Sequence, residues 1–165
     1  MNVLLAISYF VHLVATVVWI GGLAIFVLLV WPAAKRTLNQ PETNHQFLAT
    51  LQERFRPLAN LSLLLLLGTG MVQTGANENY EALLTFTNTW TQAMLFKHIA
   101  FGGMILVAGI LQFGIAPALE RAKLLAARGQ ANELEAVLTR EAHLTQLMLG
   151  LGILVLVCTA IATAV

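Results

Sequence analysis

The fold is decided by residues 3–31, which read VLLAISYFVHLVATVVWIGGLAIFVLLVW. This stretch contains no Lys, Arg, Asp or Glu. It exceeds the roughly 20 apolar residues that an α-helix needs to cross a hydrocarbon core of about 30 Å. Because it lacks a basic start and a small-residue cleavage site, it is typical of a retained membrane span and not of a signal peptide. The stretch therefore predicts a transmembrane helix.

Three further stretches, at 58–74, 93–115 and 144–165, have the apolar composition of transmembrane helices. The whole chain agrees, since 58% of its 165 residues are hydrophobic, 10% are charged and the mean hydropathy is +0.78. These values exclude an ordinary water-soluble enzyme. We predict a single membrane domain, residues 1–165, with an all-α fold: an integral membrane four-helix bundle in contact with the lipid bilayer.

Charge and cysteine content narrow the function classes further. Nine Lys and Arg against eight Asp and Glu leave a net charge of +1, which is no basic excess for a nucleic-acid backbone. No nucleic-acid partner is expected. The one cysteine, Cys158, lies in an apolar run, so the sequence predicts no disulfide framework and a packing role for this side chain.

The cations lie almost entirely in two of the connections between predicted spans. By the positive-inside rule both connections are cytoplasmic, and the N-terminus and C-terminus are on the outer side of the cell (inner) membrane. Within them, 42–56 is predicted to be an amphipathic segment at the interface and 118–142 a projecting helical hairpin. The cations of these connections are Lys35, Arg36, Arg54, Arg56, Arg121, Lys123, Arg128 and Arg140.

Two histidines, His12 and His98, fall within the outer half of predicted spans, where a titratable side chain is a candidate functional group. Small residues one turn away, such as Gly102 after His98, leave room for a planar group, and Trp19 lies on the same face of the first span as His12. Two imidazoles from facing helices are suitable ligands for haem b, so we predict that His12 and His98 ligate it. A hydrogen-bonded pair that fastens two helices and a proton relay remain open, and glycines can also serve helix packing alone.

Three more ionisable side chains are weaker candidates. Lys97 points about 100° away from His98 on the same helix, so it either reaches the membrane surface or pairs with a haem propionate or a carboxylate. His143 begins the fourth predicted span, and His45 lies in the amphipathic segment. These two histidines are less favoured metal ligands because interfacial histidines can simply face water or headgroups.

Copper is the alternative metal. Cu(I) favours soft thioether and thiolate ligands, and Met94 lies one helical turn before His98. His12, Met94 and His98 therefore form an alternative, transient copper-ligand set. Met in a membrane helix also serves packing, and the sequence has no run of closely spaced methionines and no cysteine pair.

Several short motifs, in their order and spacing, resemble the copper-resistance D (CopD-like) family of membrane proteins over nearly the whole chain. The resemblance implies a four-helix membrane fold and copper uptake or export. The motifs are His12–Leu13, Trp19–Ile20–Gly21–Gly22, Trp31–Pro32–Ala33–Ala34, Arg54–Phe55–Arg56, Gly68–Thr69–Gly70 and Lys97.

The ground plan is also similar to that of HemJ-like protoporphyrinogen oxidases. That resemblance implies haem binding and activity at a first-span histidine and a third-span lysine, here His12 and Lys97. The chain departs from that family because it has no arginine at 26–31 and has Glu141, Ala142 and His143 where an Asn, Glu, Pro cluster is expected. The CopD-like resemblance is therefore preferred.

Taken together, these observations favour a membrane-embedded haem b protein for electron transfer or membrane redox chemistry, with a quinone or an outer electron-transfer partner. Whether it is also a haem-dependent oxidoreductase stays open. The alternatives are CopD-like copper transport or resistance and a structural subunit of a larger membrane complex. A homodimer or larger assembly is expected in each case, because four helices alone make a thin bundle.

Overall fold

The computed structural model describes residues 3–37, 41–77, 88–126 and 132–164, without the side chains of 41–45 and 132. Within these ranges every residue except Ala76, Asn77 and Asn88 is helical. Arg128, one of the cations used for the predicted orientation, lies outside the described residues. The all-α prediction is confirmed for the described part of the chain.

Four long helices make up the described structure: α1 Val3–Thr37, α2 Pro41–Gly75, α3 Thr89–Ala126 and α4 Asn132–Ala164. Each is long and apolar enough to cross a membrane. At about 1.5 Å per residue each also exceeds the hydrocarbon thickness of about 30 Å. The protein is therefore a multi-pass membrane protein in contact with the lipid bilayer.

The helices keep ordinary dihedral angles but contain three wider, π-type turns. Two lie in α1, at Val17–Gly21 and Phe26–Val30, and one lies in α3, at Ile110–Ile115. Each such turn shifts the face that the following residues present. The buried positions of α1 nevertheless stay on one stripe, from Ser8 to Phe26.

The first compact unit, Met1–Ala82, contains α1 and α2 packed antiparallel. Its interior is built from residues three or four apart, which lie on one face of each helix. Most of them are apolar, and the exposed apolar side chains of both helices face outward as lipid-contacting positions do. The buried residues are Ser8, Ala15, Trp19, Leu23, Phe26 and Ala34 on α1, and Ser62, Leu66 and Thr74 on α2.

The second compact unit, Leu83–Val165, contains α3 and α4, also packed antiparallel. A capping box starts α3: the Asn88 side chain accepts from the backbone N–H of Thr91 at 2.7 Å, and Thr91 Oγ1 accepts from the Asn88 N–H at 3.3 Å. This box fixes the helix start four residues before the predicted span. The buried apolar side chains of the unit include Ala93, Ala100, Met104 and Val107 on α3, and Met148, Leu149 and Cys158 on α4.

The predicted cytoplasmic segments are parts of the long helices. The amphipathic segment 42–56 and the predicted span 58–74 both lie on α2, which continues through Pro57. The predicted hairpin 118–142 falls on the end of α3 and the start of α4, which pack against each other. The side of the membrane that these segments occupy, like the single-domain organisation, stays a prediction.

Candidate functional site

His12 is held by a residue of the neighbouring helix. Its Nδ1 atom lies 2.8 Å from Oγ1 of Thr69 on α2. Oγ1 of Thr69 in turn lies 2.5 Å from the carbonyl oxygen of Leu65, to which only the hydroxyl can donate. The single hydroxyl proton is therefore used, and the oxygen of Thr69 accepts the Nδ1–H of His12. In the neutral ring this leaves the lone pair on Nε2, the type of nitrogen that binds metals.

Further hydrogen bonds extend this contact into a polar seam, formed by Ser8, His12 and Thr16 of α1 and Thr69 and Gln73 of α2. The Ser8 hydroxyl donates to the Thr69 carbonyl at 3.4 Å, and the Gln73 amide donates to the Ser8 carbonyl at 3.2 Å. Thr16 Oγ1 donates to the His12 carbonyl at 2.8 Å. Polar groups between two membrane helices need such partners, because lipid offers none.

Gly70 lies beside the His12 ring. A Cβ atom at this position would lie 3.6 Å from Cε1 of His12, which is ordinary van der Waals contact. The His12 ring therefore lies near Gly70 with room for a methyl group between them, and the hydrogen bond to Thr69 holds the ring.

His98 is held by its own helix. Its Nδ1 lies 2.6 Å from the carbonyl oxygen of Met94, one turn earlier on α3. A carbonyl can only accept, so Nδ1 carries the proton, and the lone pair of the neutral ring is again on Nε2. Both His98 and Met94 are half-buried. The second unit thus presents an imidazole and a thioether on one face of α3.

Lys97 lies on a different face of α3 from His98. It is half-buried and occupies the stripe of Ala93 and Ala100, which are 7% and 3% exposed. The buried Cys158 of α4 is in its surroundings. Lys97 therefore belongs to the α3–α4 interface.

The other predicted site residues occupy varied surroundings. Trp19 is almost completely buried, at 2% exposed, whereas Gly102 and His143 are exposed. His45 lies on α2, but its side chain is outside the described part of the chain. Residue types alone did not single out Thr69, the residue of α2 that contacts His12. It shares one face of α2 with Ser62, Leu66 and Gln73, but that spacing does not identify its partner on α1.

His12 lies in the Met1–Ala82 unit and His98 in the Leu83–Val165 unit, and their joint ligation of one group stays a prediction. No three His, Cys, Asp or Glu side chains among the described residues are grouped so that they could hold a metal ion.

A family model described as copper resistance protein D matches residues 49–162, which are 114 of the 165 residues. The match includes Thr69, Met94, Lys97 and His98, and it begins after α1, which carries His12. No curated protein and no solved structure gives a significant match.

Proposed function

Since the chain belongs to the copper resistance protein D family, we propose that it handles copper within the membrane, as a copper transport or copper resistance protein. The observation that carries this proposal is the family match over residues 49–162. It favours copper, the alternative of the sequence analysis, over haem b. Copper here is cargo, and the protein supplies ligands that take it up and release it.

The proposed ligands are His12 in the first unit and Met94 and His98 in the second. The hydrogen bonds at Nδ1 of both histidines support this choice, because they orient each ring and define Nε2 as the nitrogen with the lone pair. The thioether of Met94 adds the soft donor that favours Cu(I) over harder metal ions. Lys97 is not a proposed ligand, because an ammonium group has no lone pair.

The test is copper binding by the detergent-purified protein. Cu(I) affinity is measured under reducing conditions by competition with a chromophoric chelator such as bathocuproine disulfonate. We expect His12→Ala, His98→Ala and Met94→Ala each to weaken binding. His143→Ala is the matched control, since it removes an exposed histidine outside the proposed set. Equal affinity in the wild type and the three ligand variants would refute the ligand assignment.

The same sample distinguishes copper from haem. An absorption spectrum, oxidised and then reduced, with iron and copper quantified, is expected to show copper binding without a Soret band. A Soret band that sharpens on reduction and is lost in His12→Ala and His98→Ala would instead favour the haem b protein. A protein that binds neither metal but co-purifies with other membrane proteins would favour the structural-subunit alternative.

Cells provide the functional readout. Expression of the wild type is expected to change copper accumulation and copper tolerance relative to the His12→Ala variant at equal membrane abundance. The direction of the change identifies uptake or export. Unchanged copper accumulation and tolerance across wild type, His12→Ala and empty vector would contradict a copper-handling role.

A further inference from the structure

We propose that Thr69 is a positioning residue for copper binding: its hydroxyl group holds the imidazole of His12 in the tautomer whose Nε2 can bind the metal. The inference rests on the proposed copper function and adds to it a residue outside the ligand set. It also gives a role to the Gly68–Thr69–Gly70 motif, which the sequence analysis used only as part of a family resemblance.

The direction of the two hydrogen bonds carries the argument. Thr69 Oγ1 is 2.5 Å from the Leu65 carbonyl and 2.8 Å from His12 Nδ1. The Thr69 hydroxyl has one proton, and it donates this proton to the Leu65 carbonyl because a carbonyl oxygen can only accept. Towards His12, the Thr69 oxygen can therefore act only as an acceptor. A neutral His12 must then be protonated at Nδ1. The opposite tautomer would place two lone pairs against each other 2.8 Å apart.

The tautomer matters for metal binding. A metal binds the imidazole nitrogen that carries a lone pair, and the hydrogen bond at the other nitrogen selects which one that is. The hydrogen bond between Nδ1 and Thr69 also restricts the orientation of the ring. Loss of such a supporting contact typically weakens metal affinity by about 10- to 100-fold.

His12 depends on this contact in a way that His98 does not. His98 donates to a backbone carbonyl of its own helix, which no side-chain substitution removes. His12 instead donates to a side chain of another helix. The Thr69 hydroxyl can therefore be deleted while the ligand itself is kept, and this makes the proposal testable.

A purely structural role for Thr69 is the competing explanation, since the hydroxyl also links α1 to α2. The polar seam supplies a control for it. The Ser8 hydroxyl donates to the backbone carbonyl of Thr69 and so links the same two helices. This hydrogen bond does not involve the His12 ring. Ser8→Ala thus removes an inter-helix hydrogen bond without removing the acceptor at Nδ1.

The experiment compares wild type, Thr69→Val, Thr69→Ser and Ser8→Ala in detergent. Valine keeps the shape of threonine without the hydroxyl, and serine restores the hydroxyl without the methyl group. The first measurement is the ¹⁵N spectrum of histidine-labelled protein, with the His12 signals assigned by their loss in His12→Gln. The second is the Cu(I) affinity by chelator competition. Helicity and thermal midpoint are recorded for every variant.

We expect wild type, Thr69→Ser and Ser8→Ala to show His12 protonated at Nδ1 and to bind Cu(I) alike. Thr69→Val is expected to lose this tautomer preference and to bind Cu(I) about 10- to 100-fold more weakly while keeping its helicity. If Thr69→Val unfolds, the proposal is decided on the tautomer in wild type and Thr69→Ser: a His12 protonated at Nε2 in either would overturn it.

The outcomes separate the two proposals. Wild type and Thr69→Val that bind Cu(I) equally would overturn the positioning role and leave the copper function standing. Wild type that binds no Cu(I) would overturn the copper function, and the positioning role with it. An equal loss of affinity in Ser8→Ala and Thr69→Val would show that the seam acts through helix packing, and it would overturn the specific role of Thr69.

Discussion

Lys97 of α3 and the buried Cys158 of α4 lie near the same level of the antiparallel α3–α4 pair. The register agrees with the contact at Gly103, where a Cβ atom would lie 3.4 Å from Cδ1 of Leu151. Lys97 lies six residues before Gly103 on α3, and Cys158 lies seven residues after Leu151 on α4. Because the two helices are antiparallel, both steps run in the same direction along the pair and over nearly the same distance. A lysine side chain is therefore built into a mostly apolar helix interface.

Replacing Lys97 by an apolar residue of similar length is expected to stabilise the protein. A lysine at the centre of a membrane span costs about 2.5–3.5 kcal/mol on the insertion scale, and less towards the ends of the span. Lys97→Met removes that cost and keeps the packing volume between Ala93 and Ala100. The measurement is the thermal midpoint in detergent, which should rise relative to wild type.

Lys123→Met is the matched control for that variant. The Lys123 ammonium lies 2.8 Å from the exposed Glu120 carboxylate on the same helix, and such surface pairs contribute about 0–1 kcal/mol. Its midpoint should stay close to that of wild type. A midpoint of Lys97→Met below that of wild type would mean that the ammonium group is a stabilising partner in the α3–α4 interface.

The four spans could be predicted from the sequence because length and apolar composition are enough to define a transmembrane helix. The ends of the helices could not be predicted from length and composition, because they depend on local hydrogen bonding. Helix α2 continues through Pro57, whose missing N–H leaves the carbonyl of Glu53 without its usual helical donor. Glu53 is exposed, so that carbonyl can be solvated and the helix need not end there.

The site was predictable to the same limited extent. His12 and His98 could be found because a titratable side chain in an apolar span is conspicuous. Thr69 could not be identified from the sequence. A threonine in a helix commonly donates to the backbone carbonyl four residues earlier, as Thr69 does to Leu65, so its hydroxyl needs no other partner. That it also accepts from His12 depends on the register of α1 against α2, which no local pattern encodes.

Gly22 is predicted to be required for close packing of α1 against α2. A Cβ atom on Gly22 would overlap the aromatic ring of Phe55. We expect Gly22→Ala to lower the stability by about 1–3 kcal/mol, because the ring must leave its rotamer. The thermal midpoint in detergent measures the loss.

Gly21 provides the neighbouring control, since a Cβ atom there would meet nothing within 4 Å. Gly21→Ala should leave the midpoint unchanged or raise it slightly. The double variant Gly22→Ala/Phe55→Leu should recover part of the loss, because leucine withdraws the overlapping ring atoms. Equal effects of the two single glycine substitutions would contradict this account of the contact.

Two methionines test the distinction between interior and lipid-facing positions. Met104 is 1% exposed on α3 and Met71 is 68% exposed on α2. Met104→Ala should lower the stability by about 2–5 kcal/mol because it opens a cavity, whereas Met71→Ala should change it by no more than about 0.5 kcal/mol. Thermal unfolding of both variants in one detergent checks this, and a larger loss for Met71→Ala would reverse the assignment.

The orientation predicted from the cations can be tested with two exposed positions at opposite helix ends, Thr37 on α1 and Ala76 just after α2. In a Cys158→Ala background, a membrane-impermeant maleimide should label Ala76→Cys in intact cells and Thr37→Cys only after the membrane is opened. The reason is that Lys35 and Arg36 precede Thr37, and the positive-inside rule retains such clusters in the cytoplasm. Labelling of Thr37→Cys alone in intact cells would mean that the protein has the opposite orientation in the membrane. Labelling of both would contradict the odd number of crossings between the two positions, and α2 would then not be a span.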